Sequence, residues 1–266
     1  MIRLALLGAL AATVFAASNS DTPKAAPVAY NIPLWNDGQV PLAKGDGPLD
    51  KPFLTVFQPP AAKRNGASVV IAPGGSNIML MYGCEGMEVA EHYNDWGVTA
   101  FVLTYRLSPR YGEDARVLDG KRALQIVRQR ASEFALDPKK VGFIGFSAGS
   151  ALARAVGSAT ASHPGEERPD YLGMVYSAGK PGEGEQLKDF PPTFLLSAEW
   201  DKGAALGSTQ LFMDLVKAGA VAEIHIYQKG RHGFGTGYAS ANFSDWMGRL
   251  QHFLTYDGFL PGGGVE

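Results

Sequence analysis

Apolar residues along this chain fall into two alternating kinds of run. Short runs rich in β-branched and aromatic residues occur at 53–57 (FLTVF), 68–72 (SVVIA), 99–105 (TAFVLTY), 141–146 (VGFIGF), 171–177 (YLGMVYS), 193–198 (TFLLSA) and 222–228 (AEIHIYQ). Between them the apolar positions recur with helical spacing, over about 84–95, 115–135, 147–158 and 206–219, with a last stretch near 240–256. Strand alternating with helix predicts the α/β class: a mostly parallel central sheet, helices on both faces and right-handed crossovers. Ligands in such sheets bind beyond the carboxyl ends of the strands. The chemistry should therefore lie in the loops that begin at Ala72, Tyr105, Phe146, Ser177, Ala198 and Gln228.

The stretches outside this alternation have a different character. Residues 1–17 carry a basic start at Arg3, an apolar run from Leu4 to Phe15, and small residues with Val14 and Ala16 placed as positions −3 and −1 of a cleavage site. The run is too short to span a bilayer and reads as a secretory signal peptide, so a secreted or periplasmic protein is expected. Residues 18–50 are rich in Pro, Gly, Asn and Asp without a period and read as a loose leader. Residues 51–260 show no repeat or change of composition and read as one domain.

Composition narrows the partners. In a chain of 266 residues the net charge is −2, so no basic field invites nucleic acid or an anionic membrane surface. Cys84 is the only cysteine, which excludes an internal disulfide, and no cysteine near the signal offers a lipid anchor. A small-molecule or polysaccharide partner is the better expectation.

Three loops carry candidate chemistry. In VGFIGFSAGSALARAVG the pattern Gly145-Phe146-Ser147-Ala148-Gly149 puts Ser147 at a sharp strand-to-helix turn, in the manner of a nucleophile elbow. The helix that follows offers unpaired N–H groups and the positive end of a dipole. Neither G-x-G-x-x-G nor G-x-x-x-x-G-K-[ST] occurs, which removes the common phosphate-loop readings. A serine needs a base, and the elbow order puts it C-terminal to Ser147. Of His225, His232 and His252, only His232, in KGRHGFG, stands in a loop past a strand end. The orienting acid should follow the preceding strand, where TFLLSAEWD offers Asp201, with Glu199 and Asp189 as rivals. Upstream, APGGSN follows an early strand, and its N–H groups at Gly75 or Ser76 would join that of Ala148 as oxyanion donors.

Taken together these blocks resemble the α/β-hydrolase fold of esterases and lipases. The likeness is nearest to the bacterial feruloyl and acetylxylan esterase-like (BD-FAE-like) group, and runs from about Ser68 to Phe234. It rests on VVIAPGGSN, CEGMEVAEHYNDWGVTAFVLTYRL, LDGKRALQIVRQRASEFALDPKKVGFIGFSAGSALA, FLLSAEWD and KAGAVAEIHIYQKGRHGFG. The resemblance implies Ser147 as nucleophile, His232 as general base and acid, Asp201 as third member, an oxyanion hole from Gly75, Ser76 and Ala148, and no metal or organic cofactor. The chain departs from the family pattern at Ser76 and Ser150, both glycine there, and at Glu-Trp-Asp-Lys in place of Asp-Asp.

The implied chemistry is two-step acyl transfer, rising with pH as His232 loses its proton. SAGKPGEGEQLKDFPP, residues 177–192, is short and polar where lipases insert an apolar lid, so no large lid and an open cleft are expected. That favours acetyl or feruloyl esters of plant polysaccharide over long lipid chains, and Tyr82, Trp200 and Tyr238 are available to stack on sugar rings. A serine peptidase would need an access-restricting N-terminal domain, for which 18–50 is too short. A silent binding scaffold would not need all three triad positions filled.

Overall fold

The computed structural model describes residues 30–158, 168–176, 186–237 and 245–262. The signal-peptide reading of residues 1–17, most of the 177–192 loop and Tyr238 lie outside these residues. Among the described residues eight strands form one sheet: β1 (Tyr30–Pro33), β2 (Phe53–Phe57), β3 (Ser68–Ala72), β4 (Thr99–Thr104), β5 (Val141–Phe146), β6 (Tyr171–Val175), β7 (Thr193–Ala198) and β8 (Ala222–Tyr227). Their order is β1-β2-β4-β3-β5-β6-β7-β8. β2 runs antiparallel to β1 and β4, and every pairing from β4 to β8 is parallel.

The helices are α1 (Glu88–Asp95), α2 (Glu113–Gln129), α3 (Ala131–Phe134), α4 (Ala148–Gly157), α5 (Lys202–Ala218) and α6 (Trp246–Tyr256). They cover both faces, which is why β3, β5, β6 and β7 are buried at every position and read as continuous apolar runs. Alternate residues of one strand feed opposite cores. Val69 and Ile71 pack with Tyr93 of α1 and Trp246 and Leu250 of α6. Val70 packs on the other face with Leu124 and Val127 of α2, Leu152 of α4 and Leu215 of α5. Among the described residues no helix is long and apolar enough to cross a membrane.

The structure corrects the leader. Residues 30–50 are not loose: β1 extends the sheet along β2, with Ile32 opposite Leu54. Asp50 accepts from Arg110 Nε at 2.6 Å and from the Tyr111 hydroxyl. Arg106 is the central anchor. Its guanidinium is fully buried, donates to Asp119 at 2.7–3.1 Å and to the Pro41 carbonyl, and lies over the rings of Trp35 and Tyr111. The ties from Arg106 to Pro41 and from Asp50 to Arg110 reach across 65 and 60 residues, so no local period announces them.

Helical boundaries also differ from the expected ones, and α5 begins at Lys202 rather than near 206. The 115–135 stretch breaks at Arg130 into α2 and α3, and the 84–95 stretch opens with a π-helical turn over Gly83–Met87. That turn places Glu85 one and two turns before Val89 and Tyr93, on the buried face.

Candidate active site

The site assembles at the carboxyl ends of β3, β5, β7 and β8, as parallel sheets favour. Ser147 sits between β5 and α4 with φ 51° and ψ −114°, a conformation costly for a residue with a Cβ. It is held there by its N–H, which donates to the Val175 carbonyl at 3.0 Å, and by its carbonyl, which accepts from Ser150 and Ala151. The flanking glycines answer to close approach. A Cβ at Gly145 would lie 2.0 Å from the Gly149 carbonyl oxygen, and one at Gly149 would lie 2.0 Å from that of Ala72. Only glycine lets α4 start this close to β5 and β3.

From this turn a chain of side chains leads outward. Ser147 Oγ is 2.6 Å from His232 Nε2, and His232 Nδ1 is hydrogen-bonded to Asp201 Oδ2. Asp201 Oδ1 also caps α5 by accepting from the Ala204 N–H. The Asp201 side chain is 15% exposed and that of His232 47%, so the imidazole stands at an open surface with its carboxylate tucked behind it. The arrangement fits Nδ1–H donating to Asp201 while Nε2 accepts the serine proton.

The other expected candidates lie elsewhere. Glu199 and Asp189 take no part in the chain of contacts; Asp189 sits in a 3-10 turn before β7. His225 lies within β8 and pairs with Glu223 at 2.6 Å, and His252 is exposed on α6.

Peptide geometry defines the loop after β3. The Pro73 carbonyl accepts from the Tyr105 hydroxyl at 2.7 Å, and the Gly74 N–H, pointing the opposite way, donates to Glu85 Oε2 at 2.7 Å. The Gly74 carbonyl accepts from Met81 N–H at 2.9 Å, and the Gly75 carbonyl from Ile78 and Met79. A trans peptide directs C=O and N–H oppositely, so each of these bonds turns the next N–H away from the loop interior. Among the described residues the N–H groups of Gly75, Ser76 and Ala148 have no acceptor within the protein. That of Gly74 is spoken for. Ser108 N–H holds the loop tip through Asn77 at 2.7 Å.

Around this centre the rim is apolar. Ile78, Met79, Met81 and Trp200 are exposed, with the Arg231 guanidinium 5.7 Å from the Trp200 ring centroid. Tyr82, by contrast, packs against the core. Sequence reasoning missed Glu85, buried beneath the loop after β3, and Tyr176, whose hydroxyl donates to Glu85 Oε1 at 2.6 Å. The signal for Glu85 was a carboxylate in phase with the buried face of α1. Burial pushes its carboxyl above the usual range, opposed by its hydrogen bonds from Tyr176 and Gly74 and by His232.

Residues 54–173 match the BD-FAE family model. An acetyl ester-xyloside bifunctional hydrolase from Caldicellulosiruptor lactoaceticus superposes with a TM-score of 0.76 at 28% identity, over 89% of this chain and 99% of that one. By its fold the chain is an α/β-hydrolase. An acetylxylan esterase from Xylanibacter ruminicola is 27% identical over 205 residues, 65% of this hydrolase but 42% of the relative, so the chain spans less than half the length of that curated protein. A Thermogutta terrifontis esterase shares the fold at a TM-score of 0.72 and 17% identity, over 90% of this hydrolase and 97% of that chain.

Proposed function

We propose that this hydrolase is a serine esterase that removes short acyl groups, acetyl or feruloyl, from esters of plant polysaccharide or related carbohydrate. The observation that carries the reading is the contact of 2.6 Å between Ser147 Oγ and His232 Nε2 at the head of α4, with Asp201 behind the imidazole. His232 takes the proton of Ser147 as Oγ attacks the ester carbonyl. The N–H groups of Gly75, Ser76 and Ala148 receive the oxyanion, and the alcohol leaves with the proton from His232. Water, deprotonated by the same imidazole, then attacks the acyl-enzyme and releases the acid.

The acyl and alcohol preferences rest on two supports. Two relatives that are more than a quarter identical over the aligned residues are named for acetylxylan and acetyl ester-xyloside hydrolysis. Trp200, exposed beside Asp201 with Arg231 across its face, offers a stacking surface for a sugar ring. Export through residues 1–17 belongs to the same proposal, since polysaccharide lies outside the cell.

The test is labelling with a fluorophosphonate probe, followed by an ester panel. Labelling of the wild type and its loss in Ser147→Ala are expected. Acetylated xylan and p-nitrophenyl acetate should be cleaved faster than the p-nitrophenyl octanoate ester, with methyl ferulate deciding between the two acyl classes. An unlabelled wild type, or faster turnover of the octanoate, would overturn the reading.

A further inference from the structure

We infer that Glu85 is a positioning residue that, through Tyr176, sets the oxyanion loop and the His232 loop relative to one another. The inference rests on the esterase reading above. Glu85 lies under the site, 2% exposed, and touches neither Ser147 nor the space above it by any recorded hydrogen bond. Its two oxygens are divided between two loops. Oε2 accepts from Gly74 N–H on the oxyanion loop, and Oε1 accepts from the Tyr176 hydroxyl. The Tyr176 oxygen in turn accepts from Gly235 N–H at 3.2 Å, three residues beyond His232. The Tyr176 ring also packs against the imidazole with centroids 4.9 Å apart, and Trp246 Nε1 donates to the Gly235 carbonyl at 3.2 Å. The relay therefore runs from one loop to the other without a gap.

Donor counting shows why the group must be a carboxylate. Gly74 N–H, Tyr176 O–H and Gly235 N–H are three donors in line, and a carboxylate accepts at both ends while the hydroxyl passes the third bond on. A glutamine of the same shape fails in either orientation. With its oxygen toward Tyr176, its amide meets the Gly74 N–H donor to donor. Flipped, its amide and Gly235 N–H both donate to the hydroxyl, whose own proton then has no acceptor. The Gly74 N–H belongs to the Pro73–Gly74 peptide, which is joined through the Gly74 Cα to the peptide that carries the Gly75 N–H, so a disturbance there is passed on to the oxyanion donors through one residue.

The charge has a second effect. The titratable groups facing Glu85 are Tyr176 and His232, with Tyr105 and Cys84 beside it. Asp201 is the other carboxylate at the imidazole. A buried negative charge near His232 favours the protonated ring that forms as Ser147 attacks.

The experiment compares wild type, Glu85→Gln and Tyr176→Phe on p-nitrophenyl acetate, with circular dichroism and melting to establish the folded fraction. Glu85→Gln should lower kcat roughly 10- to 100-fold, the scale of sub-ångström misplacement of catalytic groups. KM should stay within about twofold, because the substrate itself meets neither residue. The acidic limb of its kcat/KM profile should move to lower pH. Tyr176→Phe keeps the ring on His232 and the charge on Glu85, so its kcat should fall without that movement of the limb. Folded variants that keep the wild-type kcat and profile would overturn the inference, as would losses that only track the folded fraction. If Glu85→Gln does not fold, Tyr176→Phe decides on the same terms. An inert wild type would remove the esterase reading and this inference with it, whereas an active wild type with unaffected variants removes the inference alone.

Discussion

Replacing Gly74 by alanine tests whether the loop after β3 is pressed against the Ser147 turn. A Cβ at this position would lie 2.6 Å from the Phe146 carbonyl oxygen, 2.8 Å from Glu85 Oε2 and 2.8 Å from Ser147 Cβ. Relaxed contacts between such atoms begin near about 3.5 Å, so the loop must retreat by roughly 0.7–0.9 Å. Overpacking of this kind costs about 1–3 kcal/mol. In a domain of this size each kcal/mol is worth about 2–4 °C of Tm, which puts the fall at about 2–12 °C. The same retreat carries Gly75 N–H off its aim, and a misplacement near 1 Å costs about 100-fold in rate. Gly248→Ala is the matched control: it is exposed in α6 with nothing within 4 Å of the added carbon, and should gain about 0.5–1 kcal/mol from helix propensity with activity unchanged. Thermal melts and kcat/KM on p-nitrophenyl acetate read both quantities. A Gly74→Ala protein with wild-type Tm and kcat/KM within about threefold of wild type would refute the reasoning, since overpacking against Ser147 could not then be real.

Three further outcomes are expected. Asp201→Asn keeps Oδ1 for the α5 cap, so Tm should hold within about 1 kcal/mol equivalent while kcat falls roughly 10³- to 10⁴-fold, because the amide cannot hold the productive tautomer; steady-state kinetics beside a melt separates the two. Ser150 Oγ is fully buried and, among the described residues, has no hydrogen-bond partner, so Ser150→Ala should raise stability by about 1 kcal/mol in urea titration. Arg110 and Tyr111 hold the Asp50 carboxyl down at about 2 from its ordinary 3.8, so its contribution is whole above about pH 4 and lost as pH falls through about 2. Asp50→Asn should therefore melt lower than wild type at pH 6, with the two curves converging near pH 2.

The parts of this molecule legible in its sequence are those written in local pattern. The parallel strands from β3 to β7 are buried on both faces, so their apolar runs are unbroken and they could be placed within one or two residues. β1 has a single buried position, Ile32, among exposed ones, and a strand of four residues at the sheet edge leaves no alternation to read. The candidate site was legible to the extent that its groups follow strand ends. Ser147, Asp201 and His232 each stand just past one, and the structure brings them into contact. Glu85 and Tyr176 were not legible, because what makes them matter is a contact across 91 residues under the sheet end. Ser76, where the family pattern has glycine, occupies a left-handed conformation with φ 56°, which glycine would adopt at lower cost.

That conformation belongs to a wider pattern. Among the described residues, five non-glycine residues with positive φ follow the carboxyl ends of sheet strands: Ser76 and Asn77 after β3, Ser147 after β5, Tyr176 after β6 and Lys229 after β8. Such residues cost on the order of 1–3 kcal/mol each and persist only where neighbours over-determine them. The peptide between Val175 and Tyr176 shows how this is done. Its carbonyl accepts the Ser147 N–H at 3.0 Å, and its N–H donates in the opposite direction to the Leu196 carbonyl at 2.6 Å. One rigid unit anchored in β7 therefore fixes both the strained Ser147 and the tyrosine that leads to Glu85 and Gly235. The sheet acts here as more than a support for loops, since the hydrogen-bond register of β6 and β7 passes directly into the aim of Ser147 Oγ. A change that slipped this register would disturb the serine turn and the Glu85–Tyr176 relay together, whereas a change confined to the relay would leave the serine turn in place.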